Sequence, residues 1–217
     1  MIIVIKIGGS LLDDPFNVKV RALARAVSNL GRTGDHTCVL VPGGGPFADI
    51  VRNTQAKLDL ADETAHWMAV LSQNQYGLIL SELLPEANIV ESMNQINELQ
   101  WPGVHILLPY DLVRQTDELP HCWDVTGDSI ALWIGILTNA DYVVLLKSVD
   151  GIFQKGALIS EVRADELEVK DEARVLDSHL PNLVGRFLGR IVVMNGGKPS
   201  LLEKLVTEGV VEGTKII

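Results

Sequence analysis

Two lysines stand where continuous apolar runs end. Lys6 closes the run 2–5 and opens Lys6-Ile7-Gly8-Gly9-Ser10, while Lys147 closes 142–146 and opens Lys147-Ser148-Val149-Asp150-Gly151. An ammonium at the end of a buried strand is costly unless it meets water or an anion. It either snorkels to the surface or faces a bound anion. Gly43-Gly44-Gly45 adds a second glycine turn after the apolar run 37–41. Each turn is either a tight bend needing unusual φ or a cradle whose backbone N–H groups approach phosphate oxygens, helped by the helix that follows. Together, two lysines and two such turns suit stabilisation of a transferring phosphoryl group. Neither turn fits G-x-x-x-x-G-K-[ST] or the G-x-G-x-x-G dinucleotide pattern.

A third piece is Asp124-Val125-Thr126-Gly127-Asp128-Ser129. Gly127 permits a turn, and Asp128 or Ser129 is expected to cap the next helix. Alternatively a carboxylate here orients a lysine or holds part of a magnesium shell, since Mg²⁺ takes few carboxylates plus phosphate oxygens.

These residues need elements to position them. Buried strands are expected over 1–5, 37–41, 104–108, 142–146 and 190–194, with a shorter one at 89–90 and an edge strand at 213–217. Helices are expected over 18–30, stopped by Gly31, and over 47–52, 62–84, 129–137, 181–188 and 199–206, with Gly77 a possible bend in the longest. Weak periodicity over 153–177 reads as a hairpin, surface loops and a short helix. Strands alternating with amphipathic helices give an α/β class: a three-layer α/β/α sandwich around a mostly parallel sheet. A division near 97–103 would separate two lobes of a single domain, about 1–100 and 101–217.

Composition excludes several functions. The 217 residues are 47% hydrophobic and 21% charged, with a formal net charge of −10. Such acidity argues against nucleic acid and against an anionic membrane surface. An anionic small substrate requires locally placed cations. Cys38 and Cys122 lack metal-ligand spacing and read as reduced, packed thiols. No metal site is expected from protein ligands alone. The opening run has no basic leader, and no stretch is long enough to span a bilayer, so a cytoplasmic protein is expected.

Lys6-x-Gly8-Gly9-Ser10, Gly43-Gly44-Gly45, Asp124-x-x-Gly127-Asp128, Lys147-x-x-Asp150-Gly151 and Gly213-Thr214 occur in an order that resembles the amino acid kinase family over nearly the whole chain. The resemblance implies a sheet of about eight strands, with the acceptor bound by the N-terminal lobe and ATP by the C-terminal one. It further implies direct in-line transfer of the γ-phosphoryl group with Mg²⁺ and a homodimer or higher oligomer. By the same resemblance Lys6, Lys147 and Asp128 are catalytic; Gly8, Gly9, Ser10, Gly43, Gly44 and Gly45 hold phosphate, with Gly8, Gly9 and Gly44 donating N–H groups. Ser148, Asp150, Gly151, Asn195, Gly196 and Lys198 lie near the nucleotide, although Lys198 is equally well a solvated lysine.

The wording around residues 42–52, 65–69 and 123–131 resembles the aminomethylfuran phosphate kinases of methanofuran biosynthesis. Those enzymes phosphorylate a furan-methyl phosphate to a diphosphate, and the nucleophile is an already ionised phosphate oxygen. Arg52, His66, Trp123 and Asp124 then become candidates for holding the acceptor, against ordinary packing of the tryptophan and histidine. The alternatives are a kinase for a carboxylate, carbamate or other phosphate acceptor, and a nucleotide sensor or oxyanion-storage protein on the same fold.

Overall fold

Every residue of Ile2–Ile7 after the first is buried, and a β-branched run of that kind can only be a strand in the middle of a sheet. The computed structural model describes residues 1–13, 18–33, 36–99, 102–167 and 173–217. In it this strand, β1, lies between β2 (Thr37–Pro42) and β5 (Tyr142–Lys147), parallel to both. With β3 (Asn88–Val90), β4 (Gly103–Leu107), β8 (Glu161–Val162), β9 (Arg190–Asn195) and β10 (Thr214–Ile216) they form an eight-stranded sheet of order β3-β4-β2-β1-β5-β9-β10-β8. A small hairpin, β6 (Phe153–Gln154) and β7 (Ala157–Leu158), stands apart.

Side-chain alternation sends each strand's residues to two separate cores. Val4, Val39, Val143, Leu145 and Val193 pack with Ile130, Leu132, Trp133 and Ile134 of α6 (Gly127–Thr138). Ile3, Ile5, Leu40, Val144, Leu146 and Met194 face the other way, against α1 (Val18–Thr33) and α8 (Pro199–Glu208). The remaining helices are α2 (Gly45–Leu58), α3 (Asp62–Leu83), the short α4 (Met93–Asn97), α5 (Pro109–Thr116) and the short α7 (Leu180–Val184). The expected sandwich around a mostly parallel sheet is the one observed. Among the described residues, no helix is long and apolar enough to cross a membrane.

Several boundaries differ for physical reasons. Helix α1 runs past Gly31, because that glycine serves close packing: a Cβ there would sit 2.6 Å from Val104 Cγ2. Gly77 does not interrupt α3, which continues to Leu83; a Cβ there would fall 2.4 Å from Leu108 Cδ2. Pro109 does more than end β4, for it opens α5 in the first turn, where a missing N–H costs nothing. Helix α2 is far longer than 47–52, beginning at Gly45 with φ +54 and ending at a left-handed Asp59. Helix α7 is shorter than 181–188. The terminal strand is no edge: β10 runs antiparallel to β9 and carries β8 on its outer side. Part of the 153–177 and 97–103 expectations lies outside the described residues.

Leu145 is fully buried, and its truncation to alanine is expected to destabilise the protein by about 3 kcal/mol in urea denaturation. A loss below about 1 kcal/mol would contradict the packing of β5 against α6.

Candidate active site

Lys6 shares a face of β1 with Val4, and Lys147 shares a face of β5 with Val143 and Leu145. Val4, Val143 and Leu145 all pack toward α6. Strand register therefore delivers both ammonium groups to the N-terminus of α6, where Asp128 waits. Lys6 Nζ lies 3.0 Å from Asp128 Oδ1, and Lys147 Nζ donates to Asp128 Oδ2 at 2.6 Å and to the Val175 carbonyl at 2.6 Å. Asp128 is 2% exposed and Lys6 6%. Burial by itself would raise the Asp128 carboxyl, but Lys147 and Lys6 outweigh it and hold the pKa at about 2. Burial, with the neighbouring Lys6 charge, brings Lys147 down to about 8 against the pull of Asp128.

The capping expectation is corrected: Thr126, not Asp128 or Ser129, caps α6, its side chain accepting from the Asp128 N–H. Asp128 and Ser129 thus lie inside the first turn. Asp177, which sequence reasoning missed, pins this turn from a distant loop. Its Oδ2 accepts from the Thr126 N–H and hydroxyl and from the Ser129 N–H, each at 2.9 Å; its Oδ1 accepts from the Ser129 hydroxyl at 2.6 Å and the Leu180 N–H at 3.0 Å. Burial and the nearby Asp128 charge raise its pKa. The Asp177 N–H in turn donates to Asp128 Oδ2 at 3.3 Å. Only the polar Thr-x-x-Ser spacing hinted that an acceptor was needed here.

The two glycine turns interlock. A Cβ on Gly9 would fall 2.4 Å from the Gly45 nitrogen, and one on Gly43 would fall 2.7 Å from the Gly9 nitrogen. Gly8 is corrected as a phosphate donor, because its N–H is committed to the Leu146 carbonyl at 2.9 Å; the Gly43 N–H likewise serves the Ile7 carbonyl at 2.9 Å. Gly9 sits at the start of a 3₁₀ turn (Gly9–Asp13), and Gly44 and Gly45 at the start of α2. First-turn N–H groups have no acceptor within their own helix, and all three residues line the same cleft.

A cleft of about 270 Å³ opens beside the lysine pair, and its walls include Lys6, Gly9, Ser10, Gly43, Gly44, Gly45, Arg52, His66, Gln73 and Trp123. Arg52 lies 4.4 Å over the Trp123 ring and 3.3 Å from Asp49, and the Trp123 indole N–H donates to Gln55 at 2.6 Å. His66 is buried, with Nδ1 3.4 Å from the Cys122 carbonyl. Asp124 is placed apart: it is exposed, its Oδ2 lies 3.9 Å from Cys122 Sγ, and it does not line the cleft.

Beyond Lys147 a second group gathers. Asn195 Nδ2 and Lys198 Nζ both donate to Asp150 Oδ1, at 2.8 and 2.6 Å, and their hydrogen bonds keep the Asp150 carboxyl low. Asp150 and Lys198 border a cleft of about 400 Å³ with Leu158, Ser160, Leu201 and Gly213. Ser10, on the wall of the first cleft, bonds Ser148 at 3.3 Å. Gly196 donates its N–H to the Lys147 carbonyl at 2.8 Å, and a Cβ on Gly151 would meet Thr214 Oγ1 at 2.7 Å. Both glycines serve close approach of chain segments.

This geometry has known parallels. The model of the amino acid kinase family matches residues 1–195, and the chain belongs to that family. It is a small-molecule kinase, a phosphotransferase. It is similar to the [5-(aminomethyl)furan-3-yl]methyl phosphate kinase of Methanocaldococcus jannaschii, at 28% identity over 90% of this chain and 88% of the relative. Glutamate 5-kinase 2 of Rhizobium meliloti matches at 26% identity, over 90% of this chain and 83% of the relative. The crystal structure of uridylate kinase from Archaeoglobus fulgidus shares the fold with a TM-score of 0.77, at 18% identity and complete coverage of both chains.

Asp128→Asn leaves two buried ammonium groups without their counter-charge. We expect it to destabilise the protein by about 3 kcal/mol in urea denaturation. Wild-type stability in that variant would contradict the shared ion pair.

Proposed function

We propose that this kinase moves the γ-phosphoryl group of ATP onto the phosphate of a small acceptor, an aminomethylfuran-methyl phosphate giving a diphosphate. The reading is carried by one observation: the Lys6–Asp128–Lys147 triangle opens through Lys6 onto one cleft, and Lys147 lies three residues before Asp150, which borders the other. The acceptor is suggested by the furan phosphate kinase relative.

In this reading the cleft of about 400 Å³, bordered by Asp150, which Asn195 holds, and by Lys198, takes the nucleotide, and the other takes the acceptor. The glycine turns suit phosphate because they pack with no room for a side chain, a Cβ at Gly9 falling 2.4 Å from the Gly45 nitrogen and one at Gly44 2.6 Å from Ser72 Oγ, so their backbone stands close to the cleft. Lys6 and Lys147 neutralise charge as it spreads over the moving phosphoryl oxygens, and Asp128 pairs with both and aims them. The family's Mg²⁺ would be carried by the nucleotide's own phosphate oxygens, which neutralises further charge; among the described residues no cluster of metal-ligating side chains is found. A phosphate acceptor is ionised near neutral pH and needs no strong general base. The lobe assignment is part of the proposal, with the qualification that Trp123, Val125 and Gly127 from the second half also line the acceptor cleft. So is a homodimer: Leu71, Leu78 and Ile79 leave an exposed apolar stretch on α3 for a second copy.

The resemblance to a glutamate kinase favours one other reading, transfer to a carboxylate. Incubation with Mg-ATP and a panel of acceptors, following ADP release, separates the two. An acid-stable diphosphate supports the proposal, whereas a product trapped by hydroxylamine overturns it.

Two further outcomes are expected. Lys6→Ala should lower kcat by a factor of about 100 or more while changing KM far less, because the contact strengthens in the transition state; full turnover would contradict the role. Lys147 carries its charge below about 8 and loses it above. The profile of kcat/KM, which reports the free enzyme, should therefore fall as pH rises through that value. A profile flat to pH 10 would contradict an essential Lys147 ammonium.

A further inference from the structure

The acceptor cleft is polar in one sense at its inner end and in the opposite sense at its outer end. Inside lie donors: the Lys6 ammonium and the first-turn N–H groups of Gly9, Gly44 and Gly45. Along α3, which forms the floor, lie acceptors. His66 is 2% exposed, and its Nδ1 faces the Cys122 carbonyl, which has only lone pairs to offer. Nδ1 must therefore carry the proton, and in the neutral ring Nε2 is a bare lone pair. Burial lowers the pKa of the ring, opposed by the Cys122 carbonyl and reinforced by His121 stacked 5.3 Å away. His66 Nε2 is buried on the cleft wall and has no hydrogen-bond partner among the described residues.

Gln73 repeats the situation seven residues on, about 10 Å along the helix. It is 4% exposed, lines the same cleft, and its Oε1 is also buried without a partner. Between the two, Ala69 and Val70 offer only apolar floor. Gln73 belongs to the Lys6 end, since a Cβ on Gly127 would be 3.5 Å from its Oε1 and 3.1 Å from Lys6 Cε. His66 Nε2, at the other end, is a buried acceptor left unmatched, which destabilises a fold unless a donor arrives with a ligand.

We infer that the His66 Nε2 lone pair reads the amine that the proposed acceptor carries at the end remote from its phosphate. The inference rests on the proposed function and adds to it the group that selects the substrate. The inner donors take the phosphate, the apolar stretch over Ala69 and Val70 takes a small ring or chain, and the amine N–H reaches His66. Around that outer end Asp49 pairs with Arg52, and behind the imidazole His121 is paired with Asp117 at 2.8 Å and Glu63 at 3.6 Å. Carboxylates there outnumber the fixed cations, which suits an ammonium. An acceptor without a donor at this point leaves Nε2 desolvated and unpaired, which is the strong form of discrimination between otherwise similar substrates.

The test compares [5-(aminomethyl)furan-3-yl]methyl phosphate with the analogue bearing methyl in place of aminomethyl. The wild-type protein is expected to prefer the amine by about 10- to 100-fold in kcat/KM, the range of one hydrogen bond to a charged group. His66→Phe should bring that ratio to within about twofold of one, and His66→Gln, which retains an acceptor, should keep part of it. Equal wild-type turnover of both compounds overturns the amine reading and leaves the phosphate-acceptor function standing. Turnover of neither, with glutamate or a nucleoside monophosphate accepted instead, overturns both. The wild-type comparison decides the matter even if a variant does not fold.

Discussion

One carboxylate holding two ammonium groups is the constraint on which the rest of this molecule depends. Lys6 and Lys147 end neighbouring parallel strands, and in a low-dielectric interior two unpaired like charges would force the strand ends apart or lose their protons. Asp128, 3.0 Å from one and 2.6 Å from the other, removes that conflict. It does so only if α6 begins at one place and height above the sheet. Thr126 caps the helix, Asp177 ties down its first turn, and Gly135 lets it rest against Val143, where a Cβ would fall 2.4 Å from Cγ2. Gly127 leaves room for the Lys6 side chain itself, at 3.1 Å from where its Cβ would be.

The same arrangement prepares the chemistry. Charges placed by the fold need no reorganisation when a phosphoryl group passes between them, which is where electrostatic catalysis gains most. Asp128 gives both ammonium groups a counter-charge and opposes the effect of burial on Lys147. The interlocked glycine turns stand beside this pair, tied to the end of β5 by the Gly8 to Leu146 hydrogen bond at 2.9 Å. Strand register, helix cap and glycine contacts thereby converge on one point at the carboxyl edge of the sheet, as open α/β sheets permit.

Much of this could be read from the sequence. Continuous apolar runs marked the central strands, and a lysine closing such a run is conspicuous, so Lys6 and Lys147 were legible together with both glycine turns. Local reading went wrong where a residue's job is tertiary. Gly31 reads as a helix stop but exists to admit Val104, and Pro109 reads as a strand end but starts α5. Gly8 reads as a phosphate donor, yet its N–H belongs to β5. Asp177 lies 51 positions from Thr126 in a stretch without periodicity, and nothing local announces its role. Gln73 looks like any polar residue of a long helix; only its burial without a partner singles it out.

The most direct measurement is the stereochemical course at phosphorus, using ATP made chiral at the γ-phosphorus with oxygen isotopes and analysing the phosphorylated product. A single in-line transfer between the two clefts, stabilised by Lys6 and Lys147 with no protein nucleophile, gives inversion of configuration. Retention would mean that the phosphoryl group first bonds to the protein, and would contradict the role assigned to the Lys6–Asp128–Lys147 triangle.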